Sequence, residues 1–290
     1  MVILGPTASG KSDLAVKMAR EFNGEIISAD SRQVYKELNI GSGKITKKEM
    51  LGISHHLLSL ANPKKIFTVV QYQKLARKAI WKIWQRGKLP IICGGTGFYI
   101  QSVIDGIIIP EVTPNLKLRK TLEKKTTEEL FELLKKKDPT RAENIDSKNR
   151  RRLIRALEII ESLGEVPKLK AEPIKADILI IGVKKSKDEL KNLIKKRLNK
   201  RLKQGMIKEV EKLKKQSLSW ERLESFGLEY RYVAQFLQNK ISKEKMIKIL
   251  EAEIWHYAKR QMTWFKRDKR IIWINNPEKA FAICRDWLGL

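Results

Sequence analysis

The chain has little cysteine, few acids for its bases, and no long apolar run. Its 290 residues include only two cysteines, Cys93 and Cys284, too few for a disulfide framework or a four-ligand zinc site. A reduced compartment follows, and a cytoplasmic location is expected. No apolar stretch reaches bilayer-spanning length and no leader pattern precedes the first strand, so a soluble protein with no membrane partner is expected. Internal repeats and low-complexity linkers are also missing. The adjacent His55 and His56 lack carboxylate or thiolate partners at metal spacing, which favours structural or hydrogen-bonding roles. Lys plus Arg number 61 against 33 Asp plus Glu, a formal charge of +28. Such a surface suits a polyanion, although the many Lys-Lys runs also fit a generally lysine-rich composition.

What is present begins four residues in. Val2-Ile3-Leu4 runs into GPTASGKS, Gly5 to Ser12, and then into a helical pattern. Strand, glycine-rich loop, Lys-Ser and helix form a P-loop in its required context. Backbone N–H groups of such a loop cradle a diphosphate, Lys11 adds a point charge, Ser12 can ligate Mg²⁺, and the helix adds its dipole. The chain is expected to bind a polyphosphate or diphosphate ester.

Further strands are expected at Glu25–Ser28, Leu89–Cys93, Asp177–Val183 and Arg270–Ile274. Helical patterns lie between them, as with Leu14, Ala15, Met18, Ala19 and Phe22, and with Tyr72, Leu75, Ala76, Ala79 and Ile83. The fold class is therefore α/β: a P-loop NTPase-like parallel sheet with helices on both faces and a helical insertion. From about Thr113 to Pro173 the strand signal vanishes. Thr126-Thr-Glu-Glu129 is a capping-box start, Asp138-Pro139 breaks that helix, and a second runs from about Ser147 to Gly164, burying Leu153, Leu157, Ile160 and Leu163. The organisation is a catalytic core of residues 1–112 and 174–290 and an insertion of residues 113–173.

Asp30 follows the second strand directly. In this architecture it faces the phosphate loop and can act as a general base, with an ordinary helix N-cap or a carboxylate that holds magnesium through a water as the bland alternatives. Thr96, in GGTGFY (Gly94–Tyr99), can donate to a bridging oxygen. Arg151, Arg152 and Arg155 lie on one helix side, as a basic ridge or a solvated face. Arg197 and Arg201 share a helix face from which one can reach a leaving diphosphate. Lys259–Arg267 mixes cations, an amide and aromatics in a pattern that suits single-stranded RNA, with core packing of Trp264 and Phe265 alongside.

GPTASGKS, DSRQVY (Asp30–Tyr35), GSGK (Gly41–Lys44), HHL (His55–Leu57), GGTGFY, RRLIRALE (Arg151–Glu158) and AKRQMTWF (Ala258–Phe265) occur in this order over nearly the whole chain. Together they resemble the tRNA dimethylallyltransferases, or tRNA isopentenyltransferases. The resemblance implies transfer of a dimethylallyl group from dimethylallyl diphosphate to the exocyclic amine of the adenosine 3′ of the anticodon, in tRNAs reading U-starting codons. It further implies an insertion that grips the tRNA anticodon stem-loop, Mg²⁺ as cofactor with Ser12 as its ligand, and action as a monomer. Gly5, Pro6, Thr7, Ala8, Ser9, Gly10, Lys11 and Ser12 would hold the diphosphate. Asp30 would take the amine's proton, with Lys11, Thr96 and Arg197 stabilising the departing group. Asp30, Ser31, Arg32, Gln33, Thr96, Arg119, Arg151, Arg152, Arg155, Gly227, Lys259, Arg260, Gln261, Trp264 and Lys266 would meet tRNA. Alternatives are an adenylate isopentenyltransferase, a P-loop small-molecule kinase, and a non-catalytic RNA-binding protein with a relic P-loop.

Overall fold

Apolar runs at the expected places become strands in the computed structural model, which describes residues 1–167 and 170–290. The first part runs β1 (Val2–Leu4), α1 (Lys11–Glu21), β2 (Gly24–Ala29), α2 (Lys47–Met50), β3 (His55–His56), α3 (Val69–Gln85), β4 (Leu89–Gly94) and α4 (Gly97–Ile104). Four helices follow: α5 (Leu116–Leu122), α6 (Thr127–Lys137), α7 (Pro139–Glu143) and α8 (Arg150–Leu163). The chain then adds β5 (Ile180–Val183), α9 (Lys187–Lys203), α10 (Met206–Lys215), α11 (Trp220–Ser225), α12 (Leu228–Leu237), α13 (Lys243–Phe265), β6 (Ile272–Ile274) and α14 (Pro277–Leu288).

Among the described residues the strands form one parallel sheet in the order β3-β2-β4-β1-β5-β6. Alternation along β1 shows why it is covered twice. Val2 and Leu4 pack with Ile27, Ile92 and Ile180 against Tyr72, Ile83 and Ile100 of α3 and α4. Ile3 points the other way, with Ile26, Ile91 and Ile181, onto Leu14 and Met18 of α1 and Cys284 of α14. Each fully buried Leu or Ile contributes about 1.5–3 kcal/mol. A third cluster joins Val34, Tyr35 and Leu38 to α9–α13.

The loops that matter leave the carboxyl ends of β1, β2 and β4. This is where an open parallel sheet binds its ligand. Among the described residues no helix is long and apolar enough to cross a membrane.

One strand has no apolar signature. β3 is His55-His56, paired with Ile26 and Ile27 of β2. Its anchor is electrostatic: His56 Nε2–H donates to Glu25 Oε2 at 2.7 Å, and Arg86 and Lys88 reach the same carboxylate. Both histidines make hydrogen bonds within the fold, His55 with Ile53 O and His56 with Glu25.

Residues 106–172 form a second compact unit. It begins ahead of Thr113, where the strand signal fades, because Glu172 N–H donates to Gly106 O and Ile108 N–H to Lys170 O. Thr126 and Glu129 make the capping box, and Asp138 caps α7, whose first residue is Pro139. The second helix starts at Arg150 rather than Ser147, because Asn149 is its N-cap. Leu130, Leu134, Leu153, Leu157 and Ile160 are its core. Leu163 shares their stripe but sits in the last turn and is 50% exposed, against expectation.

Candidate active site

The P-loop leaves β1 and turns through Ala8 at φ 64° and Gly10 at φ 87°. A left-handed alanine costs about 1–2 kcal/mol, the kind of strain that marks functional loops. Gly10 is the N-cap of α1, and no side chain caps that helix, so its first N–H groups are open to a ligand. The Ser9 hydroxyl is buried without a protein partner. Lys11 Nζ donates to Pro6 O at 3.1 Å, and burial pushes its pKa down to about 8 despite the Cys93 thiol nearby. A partly buried cation whose charge is so disfavoured gains most from an anionic neighbour.

Asp30 ends β2. Its Oδ1 accepts from the backbone N–H of Arg32 (2.8 Å) and of Gln33 (3.2 Å). That is the turn-capping role weighed against catalysis, and it uses one oxygen only. Thr96 stands beside it: its N–H donates to Ala29 O, and its Oγ1 accepts from Ser31 N–H at 3.1 Å. A hydroxyl that accepts there keeps its own proton to donate. Tyr257 of α13, a residue the sequence reading did not single out, lies beside Thr96, and burial raises its pKa well above the usual range. Its signal was available: it lies one helical turn before Gln261.

Arg197 of α9 reaches the loop. Its Nη1 donates to Thr7 Oγ1 (3.3 Å) and its Nη2 to Gly43 O (3.4 Å). Burial, and then Arg201, push its pKa down to about 10. Arg201 is the other arginine of that face, and it is withdrawn into a buried pair with Glu229 at 2.7 Å. So only one of the two cations reaches the P-loop. The intervening 39–43 turn is fixed by the Glu209 carboxylate, which accepts from the N–H groups of Asn39, Ile40 and Gly41. Lys44 is tied to Tyr35 O, Asn39 and Ser59.

The residues expected to meet RNA separate into three groups. Lys259, Arg260, Lys266, Arg151 and Arg152 are exposed. Ser31 and Gly227 are half-buried, and Arg32 ties their two segments together by donating to Phe226 O at 2.5 Å. Four others are committed within the protein. Gln33 Nε2 donates to Gly43 O at 3.2 Å. Arg119 and Arg155 both pair with buried Glu158, so the ridge of three arginines on α8 is reduced to Arg151 and Arg152. Gln261 is 6% exposed and bridges Thr7 N–H to Gly95 O. Trp264 packs edge-on to Phe98 and against the core, so core packing holds for part of its surface.

The donor set also bears on Mg²⁺. Among the described residues no group of three His, Cys, Asp or Glu could hold a metal. Ser12 offers an exposed hydroxyl at the start of α1. That fits an ion which keeps waters and shares phosphate oxygens, and it does not fit an all-protein cage.

A family model described as IPP transferase matches residues 33–268. The tRNA dimethylallyltransferase of Acetivibrio thermocellus is 38% identical over 287 residues, covering 96% of this chain and 92% of that protein. The tRNA dimethylallyltransferase 1 of Geotalea daltonii is 42% identical over 286 residues, covering 97% and 92%. The structure of the tRNA isopentenylpyrophosphate transferase of Bacillus halodurans matches with a TM-score of 0.74 at 32% identity, covering 99% of this chain and 94% of that one. A eukaryotic dimethylallyltransferase acting on tRNA matches at 0.80 and 26% identity, covering 99% and 79%. With this agreement over nearly its full length, the chain belongs to the tRNA dimethylallyltransferase family.

Proposed function

We propose that this enzyme moves a dimethylallyl group from dimethylallyl diphosphate to the exocyclic amine of the adenosine 3′ of the anticodon, in tRNAs reading U-starting codons, working as a cytoplasmic monomer. The observation that carries the reading is the meeting of a P-loop, an arginine with no carboxylate partner among the described residues, a half-used carboxylate and a threonine hydroxyl at one end of the sheet.

An adenine amine is a weak nucleophile and its proton is not acidic beforehand, so the leaving group carries most of the load. As the allylic carbon parts from the bridging oxygen, positive charge spreads over the allyl unit and negative charge grows on the diphosphate. Lys11, Arg197 and the open N–H groups of α1 stabilise that charge, each such donor being worth on the order of 10²–10³ in rate. Ser12 would hold Mg²⁺, which would supply further neutralisation of the diphosphate charge. Thr96 donates toward the departing oxygen. The N–C bond forms, the C–O bond breaks, and the amine proton, now acidic, passes to Asp30. The base leaves its stack at a cost of a few kcal/mol, regained by stacking and edge contacts. Exposed Lys259, Arg260, Lys266, Arg151 and Arg152 take RNA phosphates.

Labelled dimethylallyl diphosphate with Mg²⁺ and either tRNA or AMP tests the reading. Label is expected in tRNA alone. Labelled AMP would identify an adenylate isopentenyltransferase. No label in either, with phosphate transfer from ATP to a small acceptor, would identify a kinase.

A further inference from the structure

We propose that Gln261 is a positioning residue for the diphosphate loop and not an RNA contact, and that through it α13 sets the shape of the donor site. The proposal rests on the P-loop being that donor site.

Gln261 lies inside a cationic stretch, but the helix turns it inward. Tyr257, Gln261, Trp264 and Phe265 share one side of α13, whereas Lys259, Arg260, Thr263 and Lys266 are exposed. Both halves of its amide are used. Oε1 accepts from Thr7 N–H at 2.8 Å, and Nε2 donates to Gly95 O at 2.8 Å. The orientation is forced, because an N–H can only donate and a C=O can only accept; flipping the amide would break both bonds. Thr7 is thereby held twice, at its N–H by Gln261 and at its hydroxyl by Arg197. It directly precedes Ala8, the strained residue at φ 64°. Gln261 thus stabilises the turn that presents the remaining loop N–H groups.

Two of the three glycines of GGTG record the same docking. A Cβ at Gly95 would overlap Gln261 Nε2, and one at Gly97 would overlap Trp264. They are small because α13 comes in against the exit of β4. Gly95 does not need a left-handed backbone, so alanine there would displace the amide without straining the chain.

The test uses the full-length enzyme and two probes, inorganic pyrophosphate with Mg²⁺ and an anticodon stem-loop RNA. Gln261→Met keeps the side-chain volume and removes both bonds. It is expected to raise the Kd for pyrophosphate and the KM for dimethylallyl diphosphate about tenfold, a change of about 1.4 kcal/mol. RNA affinity and kcat should stay within about threefold. Gly95→Ala should reproduce this signature with Gln261 intact, and should add nothing in a Gln261→Ala background. If Gln261→Met fails to fold, Gly95→Ala decides. A folded variant that loses RNA affinity while holding pyrophosphate normally overturns the proposal, as does one in which neither probe changes. Failure of the wild-type enzyme to bind pyrophosphate would instead remove the donor site itself.

Discussion

Asp30 has two oxygens and, in the proposed mechanism, two jobs. Oδ1 accepts two backbone N–H groups and shapes the 30–33 turn; among the described residues Oδ2 takes no protein hydrogen bond. Substitutions can separate these jobs. Asp30→Asn keeps an oxygen for the turn but cannot take a proton. Its single-turnover transfer rate is expected to fall by on the order of a hundredfold or more, the scale of a lost general base. RNA affinity should remain within a few-fold, since the turn survives. A near-normal rate in this variant removes Asp30 from proton transfer and leaves it a structural cap. Asp30→Ala is less informative, because it frees the Arg32 and Gln33 N–H groups as well. The same reasoning separates Arg197 from Arg201. Two arginines on one face look equivalent in sequence, and only the partner Glu229 tells which is neutralised.

At the scale of elements, β3 depends on its buried charge. Burial alone would raise the Glu25 pKa, but hydrogen bonds from His56, Lys88 and Arg86 outweigh it and hold the pKa down to about 2. A carboxyl group depressed on folding gives stability that is full above its unfolded value near 4.5 and is lost as pH falls from there toward about 2. Glu25→Gln should therefore unfold at lower denaturant at pH 7, by about 2 kcal/mol, and the deficit should shrink below pH 4. Denaturant melts at pH 7 and pH 3 check this, and an equal deficit at both would mean the carboxylate charge is irrelevant. β3 was also the strand hidden from the sequence. The apolar runs of β1, β2 and β4 announce themselves, whereas a two-residue histidine strand exists only because Glu25 is buried beside it. The internal bonds of Gln261 and Gln33 were hidden from the sequence for a related reason. Motif membership gives residue type and helical phase, but which face is covered depends on glycines and loops far away in the chain, such as Gly95 and Gly43. Sites whose partners are local, such as the Thr126 capping box and the P-loop turn, were legible.

For the whole molecule the question is what a charge of +28 does. Lysine-rich usage alone would spread it evenly, whereas an RNA-binding role concentrates its effect in a few phosphate contacts. Each phosphate neutralised releases counterions, and the salt dependence counts them. Arg151, Arg152, Lys259, Arg260 and Lys266 are exposed and free to make such contacts. With one phosphate each, log Kd for tRNA should rise against log salt with a slope of about 4. A fourfold increase in salt then weakens binding by roughly two orders of magnitude. Lys266→Gln should lower that slope by about one. Arg119→Gln should leave it unchanged, because that guanidinium is spent on Glu158 at 2.7 Å, and should instead lower thermal stability. The pair of variants therefore tells phosphate contacts from internal ones by a single titration. If Arg119→Gln lowers the slope while the melting temperature holds, its side chain leaves Glu158 to meet RNA. The surface count would then have to include Arg155, which shares the same carboxylate.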